Sequence, residues 1–169
     1  METQTFSYLL SQIFTGQNLA LLGVFLAAAL AGAGSAKGVS MAAQSAGGIL
    51  SVDPNMFGKT LLLVALPGSQ GIYGLITAIL IMVKIGLLGG TPVELTLAQG
   101  GYLLVAALPI AIVGYFSAIL QSKAAIAGLN LIGKQKDQVG KAITNTALVE
   151  TYAIFSLLVS LLLVIFFQV

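Results

Sequence analysis

The chain has 169 residues, of which 58% are hydrophobic and 7% are charged, and its mean hydropathy is +1.05. Soluble domains carry roughly 25% charged residues, so this composition excludes a water-soluble domain and indicates a membrane protein. Without cysteine or histidine, the chain can form no disulfide, thiolate nucleophile, imidazole base or common zinc site. The basic residues are seven scattered lysines, too few for a nucleic-acid-binding surface, and we expect no nucleic-acid partner.

Four stretches are long and apolar enough to cross a membrane, which takes about 20 mostly apolar residues. They run from Leu19 to Leu50, from Phe57 to Leu88, from Leu95 to Ile132 and from Ala142 to Phe167. We therefore predict an all-α membrane protein with four transmembrane helices in a single membrane domain. Its parts are an N-terminal segment (residues 1–18), a first transmembrane hairpin (residues 19–88) and a second transmembrane hairpin (residues 95–168).

The lysines predict how the chain is oriented. Lysine-rich short loops stay in the cytoplasm, and every lysine except Lys84 lies in or toward the first and third loops. We therefore expect a multi-pass protein of the cell membrane, with both hairpin loops in the cytoplasm and both termini outside.

The two halves of the chain align with each other at an offset of 82 residues, without a gap. The less common matches place Gly32, Ser35 and Ala36 on Gly114, Ser117 and Ala118, and Gly58 and Lys59 on Gly140 and Lys141. Each half contains two spans, so both halves insert in the same direction. The sequence thus predicts two tandem parallel-repeat helical hairpins.

The first span is rich in small residues, which let helix backbones approach closely in lipid. They include Gly32, Gly34, Ser35, Gly38, Ala42 and Gly47. Two interpretations remain open: a tight contact within one chain, or a surface through which identical chains associate.

Glu150 is the one acid deep inside a span. An ionised carboxylate there costs at least about 2.5–3.5 kcal/mol, which makes an acid at this depth a functional candidate. The structural alternative is a protonated glutamate that is hydrogen-bonded between helices. At the repeat offset Glu150 falls on Gly68, so one acid serves four helices.

Several neutral oxygen donors are predicted near this acid. In the second span Leu66, Ser69, Gln70 and Tyr73 share one helix face, because they stand at i, i+3, i+4 and i+7. Pro67 removes a backbone donor and loosens the turn that includes Leu66, which makes carbonyl oxygen available. Gln121 adds an uncharged amide in the third span.

One carboxylate with several neutral oxygens, and with no nitrogen or sulfur ligand, suits a hard monovalent cation. With Na+ the site becomes neutral, as a group that faces lipid must be. We therefore predict a Na+ site at Glu150, with H+ or Li+ as alternatives.

Three segments carry a resemblance to a known family: GAGSAKG at 32–38, LPGSQGIYG at 66–74 and LVETYAI at 148–154. They resemble the proteolipid (c or K) subunit of V-type ATPases, most nearly the bacterial Na+-pumping kind. The resemblance implies a rotor ring of identical subunits in lipid, which turns against a membrane stator subunit with a basic residue. It also implies central-stalk subunits at the cytoplasmic loops. The chain has no Gly-x-x-x-x-Gly-Lys-Ser/Thr segment, so we expect it to be non-hydrolytic, with ATP hydrolysed in a separate soluble head.

The resemblance also implies roles for individual residues. Glu150 carries the ion, and the amides of Gln70 and Gln121, the Ser69 hydroxyl and the Leu66 carbonyl supply oxygens. Tyr73 hydrogen-bonds Glu150 and holds it closed over the ion. Pro67 supports the site, and Thr151 offers a further oxygen.

Two rival functions are compatible with the sequence. The first is a self-contained ion transporter or exchanger, with its binding site between the repeats. The second is a structural tetraspan oligomer, in which Glu150 only bonds to a neighbouring helix.

Overall fold

The computed structural model describes residue 8 and residues 11–168, and the regular structure of this part of the chain is helical. Helix α1 spans Gly16–Leu50, α2 Phe57–Ala65, α3 Ser69–Lys84, α4 Leu97–Lys134 and α5 Val139–Ile165. Two 3-10 turns flank α2, one at Pro54–Met56 and one at Leu66–Gly68, so that α2 and α3 together make one crossing. The described residues thus contain four helical segments long and apolar enough to span a membrane, which confirms the predicted fold class.

The helix ends differ from the predicted ones by a few residues. Helix α3 ends at Lys84 and does not continue to Leu88. The reason is Gly86, which has a φ of 73°, a left-handed conformation that favours glycine. A Cβ at this position would lie 2.1 Å from the carbonyl oxygen of Thr91, so the turn also leaves no room for a side chain.

Side-chain caps set the starts of the two longest helices. The Thr15 hydroxyl accepts from the backbone N–H of Asn18, and α1 begins at Gly16, ahead of the predicted Leu19. Thr96 and Gln99 form a reciprocal capping box at the start of α4. Helix α4 therefore begins at Leu97, after the predicted Leu95.

Helices α1 and α4 exceed the thickness of the membrane interior. They contain 35 and 38 residues, which at 1.5 Å per residue gives lengths of about 50–57 Å. The hydrocarbon core is about 30 Å thick, so both helices extend beyond it. Lys37 and Lys123 are exposed on them.

Helices α1 and α4 also form the centre of the bundle. Helix α1 packs most extensively against α4, while α3 packs on α1 and α5 on α4. A Cβ on Gly34 would lie 2.6 Å from the Cα of Tyr115, and one on Gly38 would lie 2.8 Å from the carbonyl oxygen of Ala118. This side of α1 makes a tight contact within one chain, which is the first of the two interpretations that its small residues left open.

The opposite side of α1 is open. A Cβ on Gly32 or on Gly47 would meet no atom within 4 Å, and Ala33 and Ala36 are exposed. The small residues therefore occupy two faces, and the tight contact within the chain accounts for one of them.

The connecting segments show that the two hairpins run in the same direction. At one end Nζ of Lys136 lies 2.5 Å from Oδ2 of Asp53, and Nζ of Lys59 donates to the carbonyl of Lys136. At the other end Nζ of Lys84 donates to the carbonyl of Phe167. Each end thus joins matching parts of the two halves, as expected for tandem parallel repeats.

Two apolar clusters close the bundle at different depths. One cluster packs Ala20, Ala27, Ala78, Ile81, Ile85, Leu103, Ala106, Ala107, Ile110, Val164 and Phe167. The other packs Ala42, Ala46, Met56, Leu63, Ala125, Leu129, Ile132 and Ala142. Between them along the helices lies a layer of buried polar side chains, and this layer contains Ser35, Gln70, Ser117, Gln121, Ser122 and Thr146.

Candidate functional site

Glu150 lies half-buried in the polar layer, and each of its carboxylate oxygens has one donor. The hydroxyl of Tyr73 donates to Oε1 across 2.5 Å, and Nε2 of Gln121 lies 3.4 Å from Oε2. Tyr73 belongs to α3 and Gln121 to α4, so three different helices meet at this carboxylate. The two hairpins contribute to it together.

Among the described residues, no lysine pairs with the carboxylate of Glu150. In the part of the chain that the structure describes, the ion pair found is that of Lys136 with Asp53, at one end of the bundle. A buried charge is costly unless it is paired. Neutralising Glu150 therefore requires a cation or a proton from outside the chain.

Gln70 and Gln121 form a buried pair beside the carboxylate. Both side chains are 0% exposed, and Nε2 of Gln70 donates to Oε1 of Gln121 across 2.6 Å. Nε2 of Gln121 also lies 3.3 Å from the carbonyl of Thr146. Oε1 of Gln70, in contrast, is buried and has no hydrogen-bond partner among the residues that the structure describes.

The unpartnered Oε1 of Gln70 is the clearest local sign of a missing ligand. Leaving a buried acceptor unsatisfied costs about 1–3 kcal/mol, so such an atom in a native protein calls for an explanation. A bound cation would provide one, because an amide oxygen is a suitable ligand for hard cations.

The interrupted second crossing supplies further oxygens. Pro67 lies in the 3-10 turn Leu66–Gly68 that separates α2 from α3, at the place where the sequence predicts a loosened turn. The carbonyl of Leu66 accepts from the Ser69 hydroxyl at 3.1 Å, and Ser69 begins α3 about one helical turn before Tyr73. Ser69 therefore lies on the same helix as the tyrosine that donates to Glu150, and Leu66 lies in the turn just before that helix.

Thr151 is the candidate that the structure does not bring to the others. Its hydroxyl donates to the carbonyl of Leu148 within α5 at 2.8 Å. This is the usual local bond of a threonine to a preceding turn of its own helix. The hydroxyl is engaged in α5 and makes no hydrogen bond to Glu150, Gln70 or Gln121.

Two parts of the site carried no sequence signal as ligands or supports. The carbonyl of Thr146 receives the Gln121 amide, and every residue has such a carbonyl. The Ser35 hydroxyl accepts from the backbone N–H of Gly71 across 2.8 Å and so satisfies a donor next to the break. Ser35 stood out as a small residue of the first span and as the repeat match of Ser117, whose hydroxyl donates to the carbonyl of Val149, but not as a support of the site.

The arrangement as a whole provides one carboxylate surrounded by amide, hydroxyl and carbonyl oxygens. It offers the neutral oxygens and the single negative charge that a monovalent hard cation needs. It holds the acid between helices.

The comparisons with known proteins agree with this architecture. The family model for the C subunit of ATP synthase matches residues 22–81 and again residues 104–163. Both bounds of the two matches differ by 82 residues, the same offset at which the halves of the sequence align. The duplication is thereby confirmed.

Two curated proteins are similar to the chain over most of its length. The V-type sodium ATPase subunit K of Enterococcus hirae is 40% identical over 150 residues, which are 89% of this chain and 92% of that protein. The A-type ATP synthase subunit K of Methanocaldococcus jannaschii is 36% identical over 147 residues, which are 87% of this chain and 62% of that protein. With four apolar helices, a family model that matches both halves and these relatives, the chain belongs to the family of the ATP synthase C subunit, as a non-catalytic, ion-translocating rotor proteolipid of a V- or A-type ATPase.

Proposed function

We propose that this proteolipid carries Na+ across the membrane on Glu150, one ion for each chain. The observation that supports this most is the unpartnered Oε1 of Gln70, buried in the same polar layer as an unpaired carboxylate. A proton would neutralise Glu150 but would leave this amide oxygen without a partner. Na+ satisfies both.

In the proposed loaded state the ion is held by Glu150, by amide oxygens of Gln70 and Gln121, by the Ser69 hydroxyl and by the Leu66 carbonyl. The Tyr73 hydroxyl keeps donating to Glu150 and holds the carboxylate toward the ion. The positive ion cancels the negative charge, so the loaded site can face lipid without an uncompensated charge.

Release requires a second environment. We propose that identical chains form a ring, and that each site passes a stator subunit with a basic side chain as the ring turns. A positive group beside the site favours the ionised, empty carboxylate, so Na+ leaves there. Moving one charge against the membrane potential costs about 2.3 kcal/mol per 100 mV, and ATP hydrolysis in a separate head supplies it.

The relatives favour Na+ without deciding the question. The protein from Enterococcus hirae is named a sodium ATPase subunit, whereas the name of the archaeal relative specifies no ion. We extend the sodium specificity to this chain because its own site offers the additional oxygens.

We also propose that the end of the bundle with Asp53 and Lys136 lies in the cytoplasm, where it would meet the central stalk. Lysines concentrate near this end, as the positive-inside rule requires of a cytoplasmic side. Lys136 and Lys59 tie the two loops to each other, which would give the stalk a firm surface.

The test is the rate at which dicyclohexylcarbodiimide modifies Glu150 in membranes that contain the assembled protein. We expect Na+ at fixed pH to slow this reaction, because a bound ion blocks the carboxylate and excludes its protonated, reactive form. Glu150→Gln should abolish the labelling. Glu94→Gln changes an exposed acid in the segment just before α4. It should leave both the labelling and its protection by Na+ unchanged.

A labelling rate that is the same across millimolar Na+, and that changes with pH alone, would contradict the Na+ proposal. It would assign H+ as the carried ion. Labelling of Glu94→Gln at a reduced rate would show that the reagent reads a different carboxylate.

A further inference from the structure

A serine of the first helix caps a helix that begins elsewhere in the chain. Helix α3 starts at Ser69, and its N-cap residue Gly68 makes no side-chain cap bond. The first N–H groups of a helix have no carbonyl within that helix to bond to. The Ser35 hydroxyl of α1 accepts from one of them, the N–H of Gly71, across 2.8 Å. A side chain of α1 thus takes the part that an N-cap residue normally plays.

This hydrogen bond lies in the interior of the bundle, within the polar layer. Ser35 is 7% exposed. The two helices approach each other closely here, since a Cβ on Gly71 would lie 3.2 Å from the Cβ of Ser35 and 3.4 Å from the Cα of Gly32. Glycine at position 71 therefore lets α1 come near enough for the serine to reach the backbone of α3.

The N–H that Ser35 holds belongs to the peptide unit that follows Gln70. A peptide unit is planar and joins two successive Cα atoms, so a bond to the N–H of Gly71 also restrains the backbone of Gln70. That backbone carries the buried amide whose Oε1 has no partner among the described residues. Ser69 precedes Gln70 in the first turn of α3. Ser35 therefore acts on the backbone of two proposed ion ligands.

The repeat offers a comparison, because Ser117 is the counterpart of Ser35 in the second hairpin. Ser117 is 4% exposed, and its hydroxyl donates to the carbonyl of Val149 at 3.3 Å. Each serine thus bonds from the first helix of its hairpin to the backbone of the crossing that follows. The two bonds differ in direction, since Ser35 accepts and Ser117 donates.

This difference follows from the break in the second crossing. At the 82-residue offset Gly71 falls on Ala153, and Pro67 falls on Val149. Helix α5 runs without a break through Val149 and Ala153, and in such a helix each N–H bonds to the carbonyl four residues earlier. Ser117 therefore adds a bond to a carbonyl that already has one. In the first hairpin Pro67 lies in the break, so the N–H of Gly71 depends on the serine of the other helix.

We propose that Ser35 is a positioning residue of the ion site: its hydroxyl fixes the start of α3 and, through it, the ligands Ser69 and Gln70. The inference rests on the proposed function, because these ligands are those of the Na+ site. It assigns no such role to Ser117. Without the Ser35 hydroxyl a buried N–H loses its acceptor, which is costly, whereas the Val149 carbonyl keeps its bond within α5 when the Ser117 hydroxyl is removed.

The experiment compares Ser35→Ala with Ser117→Ala, which delete the same atom at equivalent buried positions. Dicyclohexylcarbodiimide modifies Glu150 in membranes that contain the assembled protein, and the Na+ concentration that halves the rate is measured at fixed pH. We expect this concentration to rise at least about tenfold in Ser35→Ala, because the start of α3 shifts to relieve the unsatisfied N–H. In Ser117→Ala it should stay within about twofold of the unaltered chain, because no buried group loses its only partner.

A second background tests whether Ser35 acts through the site. In a chain that already carries Gln70→Ala, the further change Ser35→Ala should have an effect of about twofold or less, because residues that act through each other are not additive. In a chain with Gln44→Ala, at an exposed position of α1, the full effect should remain. The same factor in both backgrounds would mean that Ser35 stabilises the bundle in general, and it would overturn the proposal.

The failure of this proposal and that of the proposed function give different results. Sodium protection of the unaltered chain, with equal half-protecting concentrations in Ser35→Ala and Ser117→Ala, would reject the role of Ser35 while the proposed function stands. If Na+ protects none of the chains, the Na+ proposal fails, and the labelling rate without Na+ decides on Ser35. Since Tyr73 of α3 donates to Glu150, a displaced α3 should let Ser35→Ala be labelled faster than Ser117→Ala. Equal rates would then reject the positioning role as well.

Discussion

The side-chain amides of Gln70 and Gln121 are joined directly at the meeting point of the two hairpins, and the carbonyl oxygen of the Gln70 amide is left without a donor. One hairpin thus provides an acceptor that the other does not satisfy. Substitutions at this pair and around it should therefore have measurable effects on ion binding.

Replacing either amide should weaken Na+ binding far more than it disturbs assembly. Gln70→Ala and Gln121→Ala each remove an oxygen from the proposed site, and hydrogen bonds or ligands to a charged group are worth about 1.5–3 kcal/mol. We therefore expect a loss of at least about tenfold in 22Na+ affinity for the purified oligomer. Gln44→Ala, at an exposed position of α1, should bind Na+ like the unaltered chain. Full affinity in both site variants would mean that the amides do not ligate the ion.

Removing the Tyr73 hydroxyl should speed the release of Na+. Tyr73→Phe deletes the donor that reaches Glu150, so the carboxylate loses the group that holds it toward the ion. We expect 22Na+ to dissociate about tenfold faster, in line with the value of a hydrogen bond to a charged group. Tyr102→Phe is the matched control, because that hydroxyl donates to the carbonyl of Leu163, away from the site. Equal dissociation rates in both variants would leave Tyr73 without a role in retention.

The close contact between α1 and α4 should not tolerate a single added methyl group. In Gly34→Ala the new Cβ would lie 2.6 Å from the Cα of Tyr115, and backbone cannot move aside cheaply. We expect a loss of about 1–3 kcal/mol, as for other overpacked sites, seen as a lower thermal midpoint in detergent. Gly101→Ala, where a Cβ would meet nothing within 4 Å, should be neutral or gain up to about 1 kcal/mol from helix propensity. A Gly34→Ala midpoint at or above that of the unaltered chain would refute the tight packing.

The loop ion pair should depend on pH in one direction. The hydrogen bond from Lys136 lowers the pKa of Asp53 below its usual value of 3.8. The pair therefore stabilises the folded loops above pH 3.8, and this contribution is lost as the pH falls through the lower pKa of the folded state. Lys136→Met should raise the pKa of Asp53 back toward 3.8, which the carboxyl 13C shift in an NMR titration would report. Lys134→Met should not shift it, and an unchanged titration in Lys136→Met would show that the pair does not act on Asp53.

Many residues of the candidate site could be selected from the sequence, because they are polar or acidic within otherwise apolar spans. A glutamate in the middle of an apolar crossing and two uncharged amides at membrane depth each carry a cost, and the repeat shows where one half has them and the other does not. Thr146 gave no such signal, since its contribution to the Gln121 amide is a main-chain carbonyl. Thr151 lies beside the acid in sequence, but the direction of its hydroxyl could not be predicted, and in the structure it bonds to its own helix.

Which side of α1 packs within the chain, and which side stays open, could not be predicted from the sequence. Gly32 and Gly34 are equally small, yet one meets open space and the other the backbone of Tyr115. Composition shows that a helix can be approached closely, but the side from which a neighbour comes depends on the crossing of two helices. The end of α3 at Lys84 also depends on the left-handed conformation that Gly86 adopts, which the sequence does not show.

The apolar clusters on the two sides of the polar layer limit how easily ions leak through the bundle, and so help a membrane that contains this protein to keep its potential. In the proposed function each chain carries an ion on Glu150, between the two clusters, and a continuous path of water to it from both sides would let ions cross without rotation. Packed aliphatic side chains on either flank block that path through the interior of the bundle. In the proposed mechanism, passage of ions is then coupled to rotation, and energy stored across the membrane is not dissipated while the ring is at rest.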